Sequence, residues 1–106
     1  MNILVLGRGK TGSLVAEVAR ERGHQVRVLG GADNPGASAL TVETLAAIDM
    51  VIDFTTPAAV VGNVEACVRA KKNIVVGTTG WYGEVPQVVR RLHKTFFSDL
   101  DPEVFA

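Results

Sequence analysis

Residues 5–14, Val-Leu-Gly-Arg-Gly-Lys-Thr-Gly-Ser-Leu, carry two overlapping patterns for gripping a phosphate. Gly9-Lys10-Thr11 has the form of the G-K-[ST] end of a nucleoside-triphosphate P-loop, whose lysine reaches the terminal phosphates. Gly7, Gly9 and Gly12 also spell G-x-G-x-x-G, in which N–H groups at a helix start hold the pyrophosphate of a dinucleotide. A P-loop needs a glycine five positions before Gly9, and Leu4 stands there, inside an apolar run. The loop that remains is too short to wrap a β-phosphate. Asp53, near the end of another apolar run, stands where a magnesium-binding acid would serve a P-loop, so that alternative stays open.

The dinucleotide pattern fits at each position. Gly7 permits the tight turn, Gly9 lets the pyrophosphate approach the backbone, and Gly12 lets helix and strand pack closely. Arg8 and Lys10 either add positive charge near the phosphates or are solvated loop cations. An acid that binds the adenosine ribose usually ends the second strand. Here that strand ends Leu29-Gly30-Gly31-Ala32, and the nearest acid, Asp33, falls a few residues into a glycine-rich loop. The choice between NAD and NADP is not legible there.

These residues need a strand before them and a helix after them. Asn2–Leu6 is short, apolar and followed by glycine, which predicts a strand buried on both faces of a parallel sheet. From Thr11 to Arg22, Leu14, Val15, Val18 and Ala19 recur at helical spacing, and Gly23 stops the helix. Gln25–Leu29 reads as a strand and "GGADNPGAS" as a loop. Thr41 caps a short helix to Ala47, without the acid that completes a capping box. Residues 49–54 form a third strand. Thr56 and Pro57 then open a helix that carries Val60, Val61, Val64, Cys67 and Val68 on one side. Asn73–Val76 is a fourth strand, and Gln87–Thr95 a last helix with Val88, Val89, Leu92 and Phe96 on one face. Alternating strands and helices predict an α/β, Rossmann-like, doubly wound parallel sheet in three layers, with four to five strands. The expected division is a nucleotide-binding domain over residues 1–95 and a tail over 96–106.

Composition bounds the partners. Of 106 residues, 47% are hydrophobic and 21% charged, as in a folded globular domain. Eleven basic residues balance eleven acidic ones, and no polybasic run points to nucleic acid or a membrane surface. No apolar run reaches bilayer length, and no charged n-region precedes the first strand, so the expected location is cytoplasmic. Cys67 is single and reads as a buried thiol. His24 and His93 read as surface residues.

Residues 51–82 carry a more specific signal. Val51-Ile52-Asp53-Phe54-Thr55-Thr56-Pro57, then a helix, then a strand running into Gly77-Thr78-Thr79-Gly80-Trp81, resembles the N-terminal half of the 4-hydroxy-tetrahydrodipicolinate reductase family. The resemblance implies NAD(P)H as cofactor, with its pyrophosphate on Gly7 through Gly12. It implies Phe54 and Thr55 beside the cofactor, and Gly77, Thr78 and Thr79 on the nicotinamide side. Taken singly, Thr55 and Thr56 would read as helix caps, and Thr78 and Thr79 as turn residues.

The match fades after Tyr82. The family's second domain, with its His-His-x-x-Lys signature, has no counterpart here, so the expected domain binds cofactor without completing the reaction. A nucleotide-sensing module and a fragment without ligand affinity are the alternatives. Phe96, Phe97 and Phe105 in the tail suggest local packing over a sheet edge, or self-association through the tail or that edge.

Overall fold

The computed structural model describes residues 1–96 and the side chains of residues 1–92. Four strands form one parallel sheet: β1 (Asn2–Leu6), β2 (Gln25–Leu29), β3 (Met50–Asp53) and β4 (Asn73–Val76), in the order β2-β1-β3-β4. Four helices connect or follow them: α1 (Lys10–Glu21), α2 (Val42–Ala46), α3 (Pro57–Arg69) and α4 (Val85–Phe96). The order reverses beside β1, so the loops after β1 and β3 diverge and leave a crevice at the sheet's carboxyl edge.

Strand alternation places a core on each face. Leu4, Leu6, Leu29 and Val51 meet Leu40, Leu45, Ile48 and Cys67 from the α2 and α3 side. Ile3 and Val5 meet Ala16 of α1, with Val15 and Ala19 beside it. Leu4 and Val5 are both fully buried, as expected of a central strand covered on both faces. Leu4 lies within β1, so no phosphate-wrapping loop can begin there, which removes the P-loop alternative.

Three expectations about helices are corrected. Of the expected α1 stripe, Val15 and Ala19 pack toward the sheet beside the buried Gly12 and Ala16, whereas Leu14 and Val18 are exposed. Small residues let the helix axis approach the strands, and Leu14 and Val18 then point outward. The α3 valines divide between two surfaces: Val60 and Cys67 face the sheet, while Val64 and Val68 face a groove shared with Val88, Val89 and Leu92 of α4. Thr56 occupies the cap position of α3, but its side chain makes no capping bond. Thr41 does cap α2, accepting from the Thr44 N–H at 3.1 Å.

The last helix begins at Val85, two residues before the expected start, after a 3-10 turn over Tyr82–Glu84. Glu65 of α3 and Arg91 of α4 form an ion pair at 2.5 Å. The Phe96 and His93 side chains and the tail lie outside the described residues. His24 sits with Nδ1 3.1 Å from the N-terminal amine. No helix among the described residues is long and apolar enough to cross a membrane.

Cys67 is fully buried. Desolvation, reinforced by the nearby Asp53 charge, raises its thiol pKa from 9.0 to about 11. A raised pKa favours the fold below the unfolded value, so this contribution is lost as pH rises through the window from 9.0 to about 11. Iodoacetamide at pH 8 should therefore label Cys67 only at the rate of global unfolding, and full labelling in urea should follow the unfolding transition.

Candidate cofactor site

Three strand ends build the crevice. The ladder continues past each of them: Gly7 N–H donates to Leu29 O at 2.8 Å, Phe54 N–H to Leu6 O at 2.9 Å and Gly77 N–H to Asp53 O at 2.8 Å. The segments after β1, β3 and β4 therefore leave the sheet at one level, beyond its carboxyl edge.

The first turn is held by glycines. Gly7 has φ +110°, a region L side chains rarely adopt, and a Cβ there would collide with the Phe54 carbonyl. A Cβ at Gly12 would lie 2.6 Å from the Gly7 carbonyl oxygen. Gly9 differs: it precedes α1 with φ −69°, and a Cβ there meets nothing within 4 Å. No side chain caps the opening N–H groups of α1, on residues Lys10, Thr11 and Gly12 that line the crevice, at the positive end of the helix dipole.

Two adjoining cavities of about 510 Å³ and 490 Å³ share Gly9, Phe54 and Thr55. The first is lined by Lys10, Thr11 and Gly12 on one side and by Gly77, Thr78 and Thr79 on the other. The second runs from Gly7 and Arg8 past Gly30 and Gly31 to Asn34, Pro35 and Asn63. Eleven of the twelve sequence-predicted site residues line one or both. Asp33, the twelfth, lines neither and instead bonds Arg8 and Gly30, which line the second.

Asp33 folds back on the end of β2. Its Oδ2 accepts from the Gly30 N–H at 3.1 Å and from the Arg8 guanidinium at 2.9 Å. The Gly30 N–H first, and Arg8 second, hold the carboxyl below the usual carboxylate range. A depressed pKa contributes stability above the ordinary value of 3.8 that is lost as pH falls. A Cβ at Gly30 would lie 2.9 Å from the Arg8 side chain, so a larger residue there would displace Arg8 from this arrangement.

The third segment is organised from below by Asp53, which is fully buried. Its Oδ1 accepts from Thr55 N–H at 2.9 Å, Thr55 Oγ1 at 2.6 Å and Thr78 Oγ1 at 2.9 Å. The Thr78 hydroxyl also accepts from Thr55 N–H at 2.8 Å. Thr55 and Thr78 thus line the crevice with their polar groups already engaged. Thr79 and Gly77 are exposed toward it. Among the described residues, no group of three or more His, Cys, Asp or Glu side chains could hold a metal, and Asp53 faces donors alone. Sequence reasoning missed Asp53 as an organiser, and it missed Asn34 and Asn63. For Asp53 and Asn63 the only signal was a polar residue between non-polar neighbours, and Asn34, beside Asp33 in the loop, gave none.

A family model described as "Dihydrodipicolinate reductase, N-terminus" matches residues 1–98. The chain belongs to that family. A 4-hydroxy-tetrahydrodipicolinate reductase of Christiangramia forsetii is 29% identical over 99 residues, which cover 91% of this chain and 40% of the relative. Similar reductases of Streptomyces avermitilis and Zymomonas mobilis are 40% identical over 86 residues and 38% over 81. Those alignments cover 76% and 73% of this chain but 32% and 31% of the relatives. The chain therefore spans two-fifths or less of the length of these relatives. The family fold and the four-stranded parallel sheet agree, and the cofactor class that goes with this dihydrodipicolinate reductase domain is NAD or NADP.

The residues present fit such a cofactor. Open space at Gly9, at an uncapped helix start, is the cradle a pyrophosphate needs, and the crevice continues to either side of it.

Proposed function

We propose that this chain is the cofactor-holding part of a 4-hydroxy-tetrahydrodipicolinate reductase, with the pyrophosphate of NADH or NADPH on Gly9 and the opening amides of α1. The observation that carries this reading is the uncapped α1 terminus behind the one glycine of the loop whose Cβ direction is empty. When bound, the cofactor supplies a hydride. The chain's own residues bind it, orient it and exclude water on one side. Gly77 and Thr79 border the nicotinamide half, on a turn whose position the Thr78–Asp53 bond fixes. Gly30, Gly31 and the Arg8–Asp33 pair border the adenosine half. Dicarboxylate binding and proton donation are assigned to parts of the enzyme outside these residues. On this reading the 106-residue chain binds dinucleotide but does not oxidise NADPH with the cyclic dicarboxylate at an intact enzyme's rate.

Arg8 and Asp33 give the reading a selective test. A ribose 2′-hydroxyl can donate to Asp33, whereas a 2′-phosphate is attracted by Arg8 and repelled by Asp33. Side-by-side titrations with NADH and NADPH should show Arg8→Ala losing NADPH about tenfold more than NADH. Asp33→Ala should move the ratio the other way, toward NADPH. Equal losses of both cofactors in both variants would remove the pair from the adenosine site. ATP bound in preference to both dinucleotides would contradict the proposed function itself.

A further inference from the structure

Asp53 does more than brace the nicotinamide-side turn. Its Oδ2 accepts from Asn63 Nδ2 at 2.9 Å, and Asn63 is also buried. Asn63 Oδ1 accepts from Asn34 Nδ2 at 3.1 Å, and Asn34 Oδ1 accepts from the Ala39 N–H at 2.9 Å. One line of hydrogen bonds thus runs from Thr78, beside the first cavity, through Asp53 and Asn63 to the 34–39 loop that walls the second.

The line has a direction. Every group facing Asp53 is a donor, so its carboxylate fixes the side of Asn63 that turns toward it. Asn63 then presents an oxygen to Asn34, and Asn34 presents an oxygen to the Ala39 N–H. An amide in place of Asp53 would invite both asparagines to flip. The mismatch would then emerge at Ala39, whose N–H would face an NH₂ group.

We propose that Asp53, Asn63 and Asn34 are positioning residues that register the adenosine-side wall of the crevice to its nicotinamide-side turn. The inference rests on the cofactor reading given above and adds a relay between its two halves. It touches no reacting atom.

The test uses the whole chain, with ADP and NADH as probes and amide hydrogen exchange of the ligand-free protein as a second readout. Asn63→Asp sets two carboxylates against each other. It should speed exchange at Ala39 and Thr55 about tenfold and weaken ADP and NADH about tenfold, with central-strand amides such as Val5 unchanged. Asp53→Asn combined with Asn63→Asp restores each donor–acceptor pairing and should recover both readouts. Faster exchange spread evenly over the sheet, or a double variant no better than the single one, would overturn the relay. Exchange effects at Ala39 and Thr55 with unaltered affinity would overturn the positioning role alone. A wild-type chain that binds neither probe would overturn the cofactor reading and the positioning role with it.

Discussion

Gly9→Asp should leave the protein as stable as the wild type, or a few tenths of a kcal/mol more so, while weakening NADH binding at least about a hundredfold. The two effects have one origin. Gly9 occupies the cap position of α1 with backbone angles that aspartate adopts readily, and its Cβ direction is empty. Aspartate there accepts from the same opening N–H groups that the pyrophosphate is proposed to use, and its charge faces the diphosphate. A mutation that stabilises the fold and removes the ligand separates a binding residue from a structural one. Gly9→Ala, which offers no acceptor, should cost less affinity than the aspartate. Thermal melts with NADH titrations of the same samples check both. Equal affinity for wild type and Gly9→Asp would place the diphosphate elsewhere.

Gly7→Ala should behave in the opposite way, losing about 3 kcal/mol or more of stability, or failing to fold. The left-handed backbone at φ +110° strains any L residue, and the new methyl group runs into the Phe54 carbonyl, which is backbone and cannot move without shifting β3's exit. That exit is also held by the bond from Phe54 N–H to Leu6 O. Urea denaturation gives the magnitude. A loss below about 1 kcal/mol would mean that the turn after β1 relaxes freely, against its close packing on the Phe54 carbonyl. The contrast between Gly7 and Gly9, two residues apart in one motif, distinguishes a glycine the fold requires from one the ligand requires.

That contrast also shows what the sequence could reveal. Glycine spacing placed the motif at a strand-to-helix turn, and apolar runs located all four strands, because both signals are local. The Thr41 cap was legible for the same reason. The face of α1 was not. Val15 and Ala19 do pack toward the sheet, but Leu14 and Val18, at the same helical spacing, are exposed, and Gly12 and Ala16 are buried because close approach of helix to strand favours small residues there. Thr55 and Thr78 were read as cofactor neighbours or as caps and turn formers. They line the crevice, yet their hydroxyls and the Thr55 amide serve Asp53. No local pattern announces a carboxylate that gathers donors 2, 10 and 25 residues away. Asp33 was a plausible acid at a plausible distance, but its pairing with Arg8 across 25 residues appears only once β1 and β2 lie side by side.

The most direct measurement of the central claim is an amide NMR titration of the chain with NADH. Lys10, Thr11 and Gly12 should show the largest shifts, saturating together with those of Gly77 and Thr79. Saturable shifts centred away from the α1 terminus, or no shift at these amides at millimolar NADH, would contradict it.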